Sequence, residues 1–550
     1  MQTVSLQTKF KNKKMNKILL YIFLLFLNTS IFAQADQQQI YKFNQVLDAV
    51  AGSYADSVNE EKLTEDAIKS VLKDLDPHSL YFSKDEIEEL NRGLIGSFVG
   101  VGISYDIIQD TVMILSVVKN GPSEKAGIKP GDRIITVENE TIAGTGITDD
   151  KLRELLTGKK DTKVRISVKR RGLKKHFSTV ITRAKIPVKS ITAAYNINDH
   201  VSYIKLNRFS ATTLDEFKAA TDTLMTKKNA ELILDLRYNS GGYLYAAVRL
   251  LENFFNKNTL VLYTDGVRQK RKDYFTHKTG KFRNNDLVVL INESSASAAE
   301  IVSGAVQDLD RGIVIGRRSY GKGLVQKPIY LVDGSMIRLT VAKYYTPSGR
   351  NIQKPYNKGI EDYNEDLMHR FEHGEYTNKD SIKLNDSLKF KTLNNNRLVY
   401  GGGGIMPDIF IPADTVHYPS FYRKQLNSGK INEFIHLYVE KNRNVIFQDF
   451  KNFENFFSDF ELSDEEIENL INYVYEDEIK KKDYLNEFEH NKYIKTQLKA
   501  LIANDIWDNT EYYKILNNED QAVLKAVEVL NNKKEYAEIL QSKYTEDTRN

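Results

Sequence analysis

The chain of 550 residues has no cysteine. That removes disulfides, thiol nucleophiles and cysteine-ligated metal centres, and with them a lipid-modified cysteine behind a leader. Charge of one sign is scarce too. The formal net charge is +4, but residues 1–33 carry five lysines (Lys9, Lys11, Lys13, Lys14, Lys17) and no acid, so the remainder nets −1. A near-neutral body offers little to a polyanion, which argues against a nucleic-acid partner. Long apolar runs are also wanting. The strongest, 18–27, has ten residues, against the roughly 20 that a helix needs to cross a bilayer. What is present is ample core material, 41% hydrophobic, in a chain long enough for three or four domains.

The short run at 18–27 reads as the centre of a secretory leader spanning 15–35. Lys17 supplies the positive start, and Ala33-Gln34-Ala35 supplies small residues for cleavage after Ala33 or Ala35. Met15 is a candidate start, with 1–14 upstream of it. A retained membrane anchor is the alternative reading. The expected location is the periplasm, with inner-membrane association if the leader stays uncleaved.

Histidine is missing from the stretch where chemistry concentrates, 286–326. That stretch opens with an apolar run, 287–291, which reads as a buried strand. A polar turn of Asn292 to Ser295 follows, then a helix from Ala296 to Val306, a second buried strand at 312–315, and the glycine-flanked Lys322. A serine at such a helix start sits beside backbone N–H groups with no partner inside the helix, which suit an oxyanion. A hydroxyl needs a base to become a nucleophile. With no local histidine, Lys322 is the candidate, since burial disfavours its charged form and Ser–Lys pairs are a known variant of the triad. The alternative is an ordinary serine-capped helix and a loop lysine.

The run Ser295-Ala296-Ser297-Ala298-Ala299-Glu300 and the Gly321-Lys322-Gly323 segment, 25 residues from Ser297 to Lys322, resemble the carboxy-terminal processing proteases, the tail-specific PDZ peptidases of family S41. The resemblance implies that Ser297 is the nucleophile, Lys322 the general base and Gln326 the residue orienting it. It also matches Asp308 to a recurring aspartate at the end of the serine helix. Ser294 departs from the family's frequent glycine in the turn.

The rest of the chain fits the same resemblance. Residues 36–95 read as helical, broken at Asp76-Pro77-His78-Ser79, where the proline restricts its predecessor. His78 reads as a turn histidine rather than a base. Residues 96–183 read as β-rich, and the run from Pro122 through Ala126-Gly127-Ile128 to Pro130-Gly131-Asp132-Arg133 resembles a PDZ domain. A PDZ module takes a peptide's carboxyl terminus as an added strand, so Phe98, Val99, Gly100, Val101 and Gly102 are its expected carboxylate loop. Residues 184–353 alternate strand and helix. Asp235-Leu236-Arg237-Tyr238-Asn239-Ser240-Gly241-Gly242 matches the family segment whose glycine amide joins the amide after the nucleophile in an oxyanion hole. That implies Ala298 with Gly241 or Gly242. Glycine lets a backbone approach substrate closely.

Residues 354–398 are polar and read as an insertion. They contain His369, Glu372 and His373 in a His-x-x-Glu-His zinc-peptidase pattern, without the further ligand and apolar setting that pattern requires. Residues 399–412 return to strand. Residues 416–550 read as a helical extension of no evident chemistry, dimerisation or docking being one role for it. The expected fold is α+β and multidomain: a PDZ domain before an α/β, crotonase-like S41 peptidase core at 184–415, flanked by helical regions. The expected activity is a Ser–Lys endopeptidase acting on polypeptides with a free apolar carboxyl terminus, needing no metal or other cofactor. A homodimer or an adaptor protein is a further expected partner. The rival is a catalytically silent PDZ-bearing binding protein.

Overall fold

The computed structural model describes residues 37–225, 231–414, 417–475, 481, 484–485, 487–488 and 490–541; the leader read at 15–35 lies outside them. The chain divides into two units, 1–81 and 82–550. In the first, a helix over 37–53 precedes the helix Glu60–Lys73, whose N-cap Asn59 accepts from the Lys62 N–H at 3.0 Å. Asp76 then builds a turn, accepting from the N–H groups of His78 and Ser79 at 2.8 and 3.0 Å. His78 is thus a turn histidine.

The second unit begins with the helix Lys84–Ile95, closed by Gly96 at φ 75°. An antiparallel sheet follows, in the order Ile103–Ile107, Val112–Val117, Arg133–Val137, Lys163–Lys169, Phe177–Thr182. Its core repeats every second residue, as a one-sided sheet requires: Val164, Ile166 and Val168 are all buried. The helix Asp149–Leu156 closes that core with Leu152 and Leu156.

A second, mostly parallel sheet runs Ile191–Asn196, Val201–Leu206, Glu231–Asp235, Leu287–Ile291, Ile313–Gly316, Ile409–Phe410, with every pairing after the first parallel. Its central strands are buried along their whole length, as a parallel sheet covered on both faces must be. Val289 and Ile291 face the helices Leu244–Leu251 and Ala298–Asp308. Val288 and Leu290 face the other way, onto Ala522, Val523, Ala526 and Val529 of the helix Gln521–Asn531. Tyr536, on the helix Lys533–Gln541, exchanges hydrogen bonds of 3.1 Å with the Leu287 backbone. The helical extension read at 416–550 therefore completes the core. A sheet shows that it needs a cover; which distant segment supplies it is not written in the sheet.

The middle of the extension has its own core, built on Ile431, Ile435 and Val439 of Lys430–Asp449 with Phe456, Leu470 and Leu498. It meets the PDZ sheet through Arg133 and Glu440, 2.8 Å apart and mostly buried.

Candidate active site

Ser297 stands at the start of the helix Ala298–Asp308, just after the strand Leu287–Ile291 and its turn. Its backbone lies at φ 52°, ψ −112°. An L-residue adopts such a conformation only under constraint, and strain of this kind gathers at functional sites. The constraint is visible. Ala296 N–H donates to the Asn239 carbonyl at 2.9 Å, and Tyr344 OH reaches the Ser297 carbonyl at 3.3 Å. Ser295, by contrast, is spent on structure: its Oγ donates to the Leu236 carbonyl and accepts from Asn292 N–H, both at 2.9 Å.

Glu300 ties the site together. It is fully buried, and its Oε2 accepts from the N–H groups of both Ser297 and Lys322, at 2.8 and 2.9 Å. Its Oε1 accepts from Ser319 Oγ at 2.6 Å and Gly321 N–H at 2.7 Å. Burial pushes this carboxyl above its usual range, while the four hydrogen bonds pull the other way. One oxygen thus holds the main chain of both candidate catalytic residues. In the sequence Glu300 stands only as the last residue of the Ser295–Glu300 run. Its spacing, three residues after a helix-capping serine, is the capping-box signal that could have drawn attention to it.

Lys322 is half-buried between Gly321 and Gly323. Gly323 N–H donates to Gln353 Oε1 at 2.8 Å, and the chain then enters the strand Leu324–Tyr330. A bulge between Val325 and Gln326 breaks its ladder with Met336–Tyr345; bulges re-aim side chains next to active sites. Gln326 follows the bulge, and its Nε2 is buried with no hydrogen-bond partner among the described residues. Asp308 lies at the far end of the serine helix, buried against Arg350 at 2.6 Å and Ser348 Oγ at 2.6 Å, where it ties the helix to the 346–350 turn.

The glycine turn is laid beside Ser297. A Cβ on Gly241 would come within 2.8 Å of Ser297 Cβ and 3.1 Å of Ala298 N. Gly241 N–H donates to Asn239 Oδ1 at 2.9 Å, and its carbonyl accepts from Phe209 N–H at 2.8 Å. A trans peptide holds its C=O and N–H antiparallel, so Gly242 N–H points away from Phe209. Neither Gly242 N–H nor Ala298 N–H has a hydrogen-bond partner among the described residues. Behind the turn, Asp235 is buried and accepts from Tyr203 OH at 2.7 Å, Lys205 Nζ at 3.2 Å and the Arg237 guanidinium at 2.7 Å. Burial alone would raise its carboxyl, but the charges of Arg237 and Lys205 outweigh that and hold it far below the usual range. Arg237 also pairs with Asp520 at 2.7 Å, so the last helices reach this turn.

In the PDZ module, Phe98, Val99 and Gly100 do not belong to an open loop. They lie in the strand Ser97–Gly100, paired with Ala184–Pro187. The open part is shorter: Val101 and Gly102 offer their carbonyls to Ser123 and Val118, and their N–H groups have no partner among the described residues. The reason is that the 184–187 segment, which returns the chain from the PDZ sheet, pairs with the loop's first half. In the His-x-x-Glu-His segment, His369 is 42% exposed, whereas Arg370 and Tyr363 form the buried face of the helix Ile360–Glu372. No group of three or more metal-ligating side chains is found among the described residues.

A strained serine at a helix start, free amides around it and a PDZ module upstream in one chain define a serine-type peptidase. Comparison with known proteins bears this out. Peptidase family S41 matches residues 200–363, a PDZ domain residues 113–170, and a family of unknown function (DUF8443) residues 421–508. The carboxy-terminal processing protease CtpB of Bacillus subtilis is 35% identical over 335 residues, covering 60% of this chain and 68% of that protein. The carboxy-terminal-processing protease of Bartonella bacilliformis is 33% identical over 354 residues, 61% of this chain and 80% of that protein. Among solved structures, a photosystem II D1 C-terminal processing protease is 28% identical, covers 56% of this chain and 89% of its own, and superposes with a TM-score of 0.33. The chain belongs to the carboxy-terminal processing proteases of peptidase family S41.

Proposed function

We propose that this peptidase works through a Ser297–Lys322 dyad on proteins whose apolar carboxyl tails its PDZ domain captures. The observation that carries the reading is the Glu300 carboxylate, one oxygen of which accepts from both residues' N–H groups. Lys322 takes the proton as Ser297 Oγ attacks the peptide carbonyl. The N–H groups of Ala298 and Gly242 receive the oxyanion; one such donor is worth about 3–4 kcal/mol in the transition state. As the C–N bond breaks, Lys322 returns the proton to the leaving amine. It then deprotonates the water that frees the acyl-Ser297 ester. Gln326 holds the lysine in line. The tail adds as a strand to the PDZ sheet, its carboxylate on the Val101 and Gly102 amides. The reading of 15–35 as a secretory leader supports the periplasm as the place of this work.

The test is cleavage of an unfolded protein with an apolar carboxyl tail, with chelator present. The parent cuts it; Ser297→Ala and Lys322→Ala bind the tail and leave it whole. If the parent also binds without cutting, the chain is a binding protein. If chelator alone stops cleavage, the dyad reading fails.

A further inference from the structure

The segment 354–398, polar enough to pass for a solvent-facing insertion, is packed against the loop that carries Lys322. Arg370, on the helix Ile360–Glu372, is 3% exposed. Its guanidinium donates to the Ser319 carbonyl at 2.8 Å and the Tyr320 carbonyl at 3.2 Å, and pairs with Asp366 at 3.0 Å. Lys354 joins the loop to the same helix. Its N–H donates to the Gly321 carbonyl at 2.9 Å, and its Nζ donates to Asp366 and to the Tyr363 carbonyl, both at 2.9 Å. That ammonium lies 4.2 and 4.0 Å from the ring centres of Tyr320 and Tyr363. Glu375 adds an ion pair to Arg318 at 2.5 Å. With the Glu300 and Gln353 bonds above, the Ser319–Gly323 backbone is held along its length by buried polar groups.

We propose that the helix Ile360–Glu372 is a positioning element for the general base, in which Arg370, steadied by Asp366 and Lys354, fixes the Ser319–Gly323 loop so that Lys322 stays in register with Ser297. The inference rests on Lys322 being that base. The S41 family model matches residues 200–363, so Arg370 lies beyond the matched segment. Arginine suits the task because its planar fork of donors can satisfy two carbonyls at once, which a lysine cannot do with the same geometry. The fork also sets a buried positive charge against the Tyr320 carbonyl, two residues before Lys322 in the chain, with Asp366 beside it. A neighbouring cation disfavours protonation of a lysine and so favours its neutral, basic form. The charged groups around the loop are Glu300, Arg318, Lys354, Asp366, Arg370 and Glu375. Of these, the substitution Arg370→Gln removes one cation and both carbonyl bonds.

The experiment measures kcat and KM against pH, per titrated Ser297, for the parent, Arg370→Gln, Asp366→Asn and His369→Ala. A base displaced by about 1 Å costs up to roughly 100-fold. Arg370→Gln is therefore expected to lower kcat by roughly 10- to 100-fold with KM within about twofold, and to move the acid limb of the kcat/KM profile to higher pH. A simple loss of folded protein would leave that limb in place. Asp366→Asn keeps the fork and loses its anchor, so it shifts kcat in the same direction by less, and it serves if Arg370→Gln does not fold. His369→Ala, on the exposed face, leaves both constants unchanged. A parent-like kcat and acid limb in Arg370→Gln, or in Asp366→Asn where the first variant is unfolded, overturn the inference. If Ser297→Ala and Lys322→Ala retain activity, it is the dyad reading that has failed.

Discussion

Replacing Glu300 by glutamine tests the joint on which the site rests. The carboxylate accepts four donors, two on each oxygen, and glutamine has only one oxygen. If that oxygen stays with Ser297 and Lys322, the amide nitrogen faces Ser319 Oγ and Gly321 N–H. Ser319 can turn its hydroxyl to accept, although its Oγ already takes the Ile405 N–H. Gly321 N–H cannot adapt and is left facing another donor. One orphaned buried donor costs about 1–3 kcal/mol, and each remaining bond weakens by roughly 1 kcal/mol when its acceptor loses charge. Against this stands relief of the desolvation that raises the Glu300 carboxyl. The net expectation is a loss of about 2–4 kcal/mol. Urea unfolding should show a lower midpoint with an unchanged m-value, and kcat should fall with KM held. A Glu300→Gln protein with a parent-like midpoint and parent-like kcat would refute the view that this carboxylate holds nucleophile and base together.

Gly241→Ala forces a Cβ to 2.8 Å from Ser297 Cβ at φ 103°, so steady-state kinetics should show kcat falling by more than about tenfold while the PDZ domain still binds a tail peptide. The Glu511 carboxyl is raised from 4.5 to about 6 by burial, helped by the hydrogen bond with Asp508. Because the native pKa exceeds the unfolded one, this group's stabilisation is full below 4.5 and is lost as pH rises through about 6. The difference in melting temperature between the parent and Glu511→Gln should therefore move in that direction over that window, and a flat difference would refute it. The Arg133–Glu440 pair, 16% and 18% exposed, should give a coupling of roughly 1 kcal/mol in a double-mutant cycle on urea unfolding. No measurable coupling would show that the contact between the PDZ sheet and the Lys430–Asp449 helix does not hold the two together.

What the sequence determined by itself is what local geometry determines. A serine after an apolar strand and a polar turn, a lysine between glycines and a glycine pair after Asp235 each need special backbone over a few residues. Such requirements show as residue types at fixed spacing. The strands of the PDZ and peptidase sheets were legible for the same reason, since period-two and all-apolar runs report burial directly. Tertiary structure decided the rest. Glu300 meets Lys322 across 22 residues, and Arg370 meets Ser319 across 51. Bonds at that range follow from how elements pack, not from their periodicity. The same holds for the last helices, whose partner is the sheet's second face. The proposal of Gly242 over Gly241 likewise rests on Phe209, which turns the Gly241 carbonyl one way and so points the Gly242 N–H the other.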